Sequence, residues 1–391
     1  MRDWLDGALL EQQAIEEERG VVISELTGGN LVRERLRRQV FDLIMPDTLI
    51  VKRWVIGTEE SLKTVAPDEF IEFYSEYYTP ERATVVVTGA IDVDEMEARI
   101  VEAFSNATNP ESPGAEPDLG TVTSGSGFQT AVFTDDEFKY REIYLYTVQP
   151  FVSEPDTKDK RTDGYAMSIA NRVLKKRFDD IIRSEGSPIS YGNSVASSLD
   201  PVNIYYVTVD AVEGQFEDAV EVLEQEFRRF IKYGLTRQEY EEAKAVYLNA
   251  FERAVEGADT RESSSLANSL SSSVNSRSVF STPEENLEIV IAAFDSLTPE
   301  LVHEEFLEVW DTEDIALVYL TKEQFENTTA ILEATYNASS AVPVDPPMEE
   351  GNITFAYTDF GEPGTVISDT LQEDLAVRQL ILSNNVRVNL K

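Results

Sequence analysis

The sequence has 391 residues and 42% hydrophobic content, enough for two or three domains with real cores. Its 73 acidic residues against 33 basic give a formal net charge of −40, a surface that repels phosphate backbones and anionic lipid, so no nucleic-acid or membrane partner is expected. With no Cys and one His, disulfides and thiolate zinc ligands are excluded, and any metal must be held by His, Asp or Glu. Arg outnumbers Lys two to one and the acid is spread along the chain, which suits a protein kept soluble in high salt, so a salt-adapted source is expected. No run of 18 apolar residues occurs, and Met1-Arg2-Asp3-Trp4 starts no signal peptide; a soluble chain is expected.

The first informative element is Glu18-Arg19-Gly20-Val21-Val22-Ile23-Ser24-Glu25. On a helix, carboxylates seven residues apart lie roughly 20° apart on the surface. Ala14 and Val21 fall on one side of the pair and Ile15, Val22 and Leu26 on the other, so Glu18 and Glu25 are expected inside an apolar, buried arc. Burying two carboxylates together is unfavourable unless a divalent metal, an Arg or a shared proton offsets it. The alternative is an acidic run, Glu16 to Glu18, at the edge of a stripe and reaching solvent.

Residues 67–104 and 299–336 superpose without a gap at an offset of 232, each predicting helix, strand, helix. In the first copy these are a helix from Pro67 to Tyr78, a strand Ala83–Thr88 and a helix Asp94–Phe104. The second copy has a helix from Pro299 to Trp310, a strand Ile315–Leu320 and a helix Lys322–Tyr336. Upstream of it, Ala131–Phe133, Glu142–Val148 and Asn203–Val209 read as strands, and Asp163–Ser184 as a helix. Gln215–Tyr233 is a helix closed by Gly234, Thr236–Ala254 a helix with a Thr236/Glu239 capping box, and Ser263–Ser278 a helix despite its serines. Val377–Leu382 and Val386–Leu390 form a hairpin across Asn384-Asn385.

The class expected is α+β, with tandem homologous domains, each an antiparallel-rich sheet covered by helices, and the first incomplete. The division expected is 1–109 for the C-terminal part of a first domain, 110–127 a linker, 128–340 a second domain, 341–375 a linker, and 376–391 the first hairpin of a third. The offset carries Glu18 to Ala250 and Glu25 to Gly257, so the second copy folds without the acid pair.

Three stretches carry a family resemblance: the Glu18–Glu25 string, Ile56-Gly57-Thr58-Glu59-Glu60-Ser61-Leu62, and Tyr77-Tyr78-Thr79-Pro80-Glu81-Arg82-Ala83 with Val85-Val86-Val87-Thr88-Gly89. Their order and spacing resemble the pitrilysin and insulysin type of zinc metallopeptidases. Arg177-Phe178 with Pro188, Gly234-Leu235-Thr236 with Glu239, and Leu382-Ser383-Asn384 with Val386-Arg387-Val388 resemble later parts of the long, four-domain bacterial members. That resemblance implies an H-x-x-E-H helix with two zinc-binding His and a general-base Glu. It also implies Glu25 as the third zinc ligand and Glu18 as a supporting acid. No H-x-x-E-H occurs in the sequence. The chain is therefore expected to be a stretch of a metalloendopeptidase truncated at both ends, inactive by itself, and without bound zinc. The alternative is a non-catalytic homologue that binds peptides or pairs with a chain carrying H-x-x-E-H. The partner expected is a peptide or small protein substrate, and a periplasmic or secreted setting follows by family. His303 reads as an ordinary helix residue, and Arg183 and Tyr191 are assigned no substrate-holding role.

Overall fold

In the computed structural model, residues 1–28, 31–111, 114–322, 325–348 and 361–391 are described. The chain opens as helices: α1 (Arg2–Asp6), α2 (Gln12–Gly28), α3 (Val32–Ile44), α4 (Leu49–Lys52), α5 (Glu59–Thr64), α6 (Pro67–Tyr77) and α7 (Val93–Phe104). Local chemistry sets their starts. Thr58 and Ser61 cap α5 reciprocally, Pro67 takes the first turn of α6 where its missing N–H costs nothing, and Asp92 accepts from the Glu95 amide at 2.9 Å at the start of α7.

The strand expected over Ala83–Thr88 does not form; the segment has no regular secondary structure and pairs with no strand among the described residues. Sequence pattern selects an extended backbone, whereas a strand also needs a neighbour to take its N–H and C=O groups. In the second copy the matching residues do find neighbours.

The sheet contains β1 (Gln129–Thr134), β2 (Glu142–Pro150), β3 (Ile189–Leu199), β4 (Val202–Ala211) and β5 (Ala316–Thr321) in the order β1-β5-β2-β4-β3. Only β1 and β5 run parallel; the other pairs are antiparallel. The interior strand β5, Ala-Leu-Val-Tyr-Leu-Thr, is apolar and buried on both faces, as a run covered from both sides must be. Helices α8 (Lys158–Ile182), α9 (Phe216–Tyr233), α10 (Arg237–Glu256), α11 (Ser263–Asn275), α12 (Pro283–Ser296), α13 (Pro299–Trp310) and α14 (Thr328–Ser340) complete this part. The predicted Thr236/Glu239 box caps α10. The last helix starts at Thr328, later than the expected Lys322, after Asn327 in the left-handed region.

Alternation in β2 splits the core in two. Ile143 and Leu145, with Val207, Val209, Leu317 and Tyr319, face Phe178 of α8, Phe230 of α9 and Phe306 of α13. Tyr146, with Ile204, Val318 and Leu320, faces Leu36, Val40 and Ile44 of α3. Thus a helix from the stretch read as the first domain covers the sheet of the second, and Met1–Met348 form one compact unit.

The rest of the described chain belongs to a second unit, Glu349–Lys391. It is a three-stranded antiparallel meander, β6 (Val366–Gln372), β7 (Val377–Leu382) and β8 (Arg387–Leu390), in which the hairpin expected over 376–391 is joined by a further strand, β6. The linker expected over 341–375 therefore contains a strand; its residues 349–360 lie outside those described. Strand β6 is exposed at nearly every position, so no apolar alternation marks it, and backbone pairing to β7 defines it instead. The hairpin turn uses Asn385 at φ 63°, a conformation Asn accepts readily.

Candidate functional site

Helix α2 carries both candidate carboxylates, and both are exposed; no residue of α2 is buried. This corrects the expectation of an acid pair inside a buried arc. The half-buried residues are Ile15, Arg19, Val22, Ile23 and Leu26, a stripe served by α5. Arg19 fixes that contact: it pairs with Glu16 at 3.0 Å and donates to the carbonyls of Leu62 and Val65, the latter at 2.8 Å. These are carbonyls at the C-terminal end of α5, where a cation is favoured by the helix dipole.

Glu25 lines a cleft of about 490 Å³ with Leu26, Leu31, Trp54 and the guanidinium-bearing residues Arg33, Arg37 and Arg38. Glu18 is not among the residues lining it. Helix α3 supplies the arginines, and its apolar side, Leu36, Val40 and Ile44, holds it on the sheet. Arg33 reaches the buried Glu142 at 2.6 Å, and Arg35 grips Asp135 at 2.6 Å and 2.8 Å and Glu137 at 2.5 Å. The Asp135 carboxyl is held below its usual range by the Arg35 guanidinium. Glu142 also accepts from the Tyr144 hydroxyl at 2.7 Å, and burial pushes that hydroxyl's pKa upward. Across the sheet from Glu142, Asp210 rises to about 6, through burial first and then the neighbouring Glu142 charge.

Among the described residues no three His, Asp or Glu side chains come together in a way that could hold a metal ion. The described residues therefore do not fit zinc as a complete site, and Glu25 stands as a single exposed carboxylate. His303 lies far along the sequence on α13, where its Nε2 is 2.9 Å from the Ile231 carbonyl and its ring meets Phe230 edge-on. It packs against Gly234, at φ 65°, where an added Cβ would fall 2.7 Å from the His303 Cγ. Arg183 pairs with Asp180, and Tyr191 stands exposed on β3.

Two features escaped the sequence reading. One is the Arg177–Glu239 pair, in which buried Arg177 donates to both carboxylate oxygens at 2.6 Å and 2.9 Å and to the Gly234 carbonyl at 2.9 Å. Arg177, Gly234 and Glu239, three of the residues that carried the later resemblance, thus form one structural joint between α8, α9 and α10. The other is the arginine cleft, whose signal was present: Arg33, Arg35, Arg37 and Arg38 crowd six positions of a very acidic chain.

A family model described as the Peptidase M16 inactive domain matches residues 64–247. The probable zinc protease PqqL of Escherichia coli (strain K12) is 24% identical over 398 aligned positions, 99% of this chain and 42% of that protein. A stromal processing peptidase of Oryza sativa subsp. japonica is 31% identical over 101 residues, 26% of this chain and 8% of that protein. In fold, the chain is similar to the crystal structure of the periplasmic protease PqqL from Escherichia coli, with a TM-score of 0.81 and 21% identity over 100% of this chain and 43% of that one. It is also similar to the ferredoxin protease FusC in complex with Arabidopsis ferredoxin, with a TM-score of 0.70 and 18% identity over 98% of this chain and 43% of that one. The chain spans less than half the length of PqqL, and its helices and antiparallel-rich sheet are the α+β fold of these proteins. By the matched family model, the PqqL likeness along the whole chain and the ordered motifs, this chain is similar to the pitrilysin- and insulysin-type zinc proteases of the M16 family.

Proposed function

We propose that this chain is a segment of a zinc-dependent metalloendopeptidase acting on peptides or small proteins, with Glu25 one zinc ligand and Glu18 its supporting acid. Residues 1–109 are then the C-terminal part of the catalytic domain, 128–340 the non-catalytic partner domain, and 376–391 part of the entry to a third. The observation that carries the reading is that Glu25 opens onto a cleft while making no hydrogen bond or ion pair among the described residues, which keeps its carboxylate available as a ligand. The two histidines come from an H-x-x-E-H helix outside the sequence given. The periplasmic setting named for PqqL is proposed here by likeness.

The purified chain alone is expected to cleave no peptide in the presence of zinc. Adding a polypeptide that carries the H-x-x-E-H helix is expected to give zinc-dependent cleavage of a quenched fluorogenic peptide, and Glu25→Gln to abolish it. Unchanged cleavage by the reconstituted Glu25→Gln variant would overturn the assignment. A second reading, a peptide-binding homologue without catalysis, is favoured by the match of 64–247 to an inactive-domain model. It expects peptide binding that neither zinc nor Glu25→Gln alters.

A further inference from the structure

We propose that the cleft beside Glu25 is a carboxylate-binding site, and that it recognises an acidic side chain or the C-terminal carboxylate of a bound peptide through Arg37 and Arg38. The inference rests on the reading that the Glu25 side of α2 faces substrate.

Spare donors are the first ground. Arg33 commits to Glu142, which does not line this cleft. Arg37 and Arg38 share one carboxylate, Glu34, at 2.5 Å through the Arg37 Nη2 and at 3.4 Å through the Arg38 Nε. The second distance is at the weak end for a charge-assisted bond. Both Nη atoms of Arg38, and Nε and Nη1 of Arg37, have no acceptor among the described residues. Glu25 lines the same cleft but forms no ion pair with them. One unit of positive charge on this pair of guanidiniums is therefore left without a partner.

Preorganisation is the second ground. The Arg38 guanidinium lies 4.9 Å over the Trp54 ring and Arg37 5.7 Å, and Arg37 also lies 5.6 Å over Phe41. Phe41 and Trp54 stack at 5.9 Å with an interplanar angle of 21°, so the aromatic support is itself braced. A guanidinium held by its face keeps its N–H edge free, and that edge matches a carboxylate in a two-point bond. Such a site loses less side-chain entropy on binding than two free arginines would.

Selectivity follows from charge. In a chain of net charge −40 an anion is repelled at long range, so one that binds must be captured by short, directed bonds. An amide of the same shape presents one acceptor and no charge, and cannot reproduce them.

The test is a tryptophan-fluorescence titration of the full chain with three peptides of one neutral sequence. The first has a free C-terminus and no acidic side chain, the second a C-terminal amide and a central Glu, and the third a C-terminal amide and Gln in place of Glu. At least one carboxylate peptide is expected to bind ten-fold or more tightly than the Gln amide, and which one does so identifies the source of the carboxylate. Arg37→Gln with Arg38→Gln is expected to bring all three within two-fold, while Arg99→Gln on α7 leaves the preference intact. Circular dichroism and thermal melting check that each variant folds. Equal affinities for the three peptides, no binding by any of them, or a preference that survives the double variant would overturn the site. Glu25→Gln separates the two readings: it removes the proposed zinc ligand and also a negative charge from the cleft, so zinc-dependent cleavage is expected to be lost while the carboxylate preference persists or strengthens.

Discussion

Glu305 on α13 sits half-buried opposite Asp163 of α8, with Glu308 on its own helix, and no cation among the described residues offsets it. Its pKa rises to about 7, through burial first and then the two neighbouring carboxylates. Asp210 rises to about 6 beside Glu142, with Arg33 only partly opposing the shift. Both native values exceed the roughly 4 of an unfolded carboxyl group. The folded state therefore binds these protons more tightly than the unfolded state. Their stabilising contribution is present below about pH 4 and is lost as pH rises through about 6 to 7. Carboxylates held low, such as Asp156 at about 2 beside Arg161, act in the opposite sense but are fully ionised across that window. Melting temperature at fixed salt is thus expected to fall between pH 5 and pH 7.5. A paired Asp210→Asn and Glu305→Gln variant should flatten that fall; parallel profiles for the two proteins would refute the assignment. None of this was legible in the sequence, because the acid residues of α8 and α13 are far apart in the chain and meet only by packing. The same gap explains Glu18 and Glu25. A helical wheel states which side chains share a face, but not whether another element covers it.

Helix α3 is the element on which the arrangement turns. Its Leu36 is fully buried against the sheet, while its arginines reach Glu142, Asp135 and the cleft. Leu36→Ala should cost about 2–5 kcal/mol through lost transfer energy and the cavity left behind. Urea unfolding with an unchanged m-value would check it, and a loss under about 1 kcal/mol would show that α3 is not a structural part of this core. Element existence was legible where local chemistry decides: the capping box at Thr236, the proline starts of α6 and α13, and the apolar run of β5. Strands β3 and β6 were missed because Ser, Gly and exposed polar residues break their alternation, and their pairing to β4 and β7 defines them. Ala83–Thr88 is the converse, a strand pattern with no partner among the described residues.

Over the whole molecule, a net charge of −40 sets a self-repulsion that opposes the folded state and that salt screens, over about 10 Å at 0.1 M and 3 Å at 1 M. We propose that the chain is adapted to salt, and expect its melting temperature to rise continuously from dilute buffer to molar KCl. Full stability in dilute buffer would remove the proposal. No described helix is long and apolar enough to cross a membrane. The sequence by itself determined the charge, the order of the family motifs and most helices, since those depend on composition and on contacts within a few residues. Only the tertiary structure decided that α3 covers the second sheet, that Arg177 closes on Glu239, and that Glu25 faces an arginine cleft rather than a buried acid pair. Each of those is a meeting of groups far apart in the chain, whose energy depends on distance and burial, and neither quantity is written in residue order.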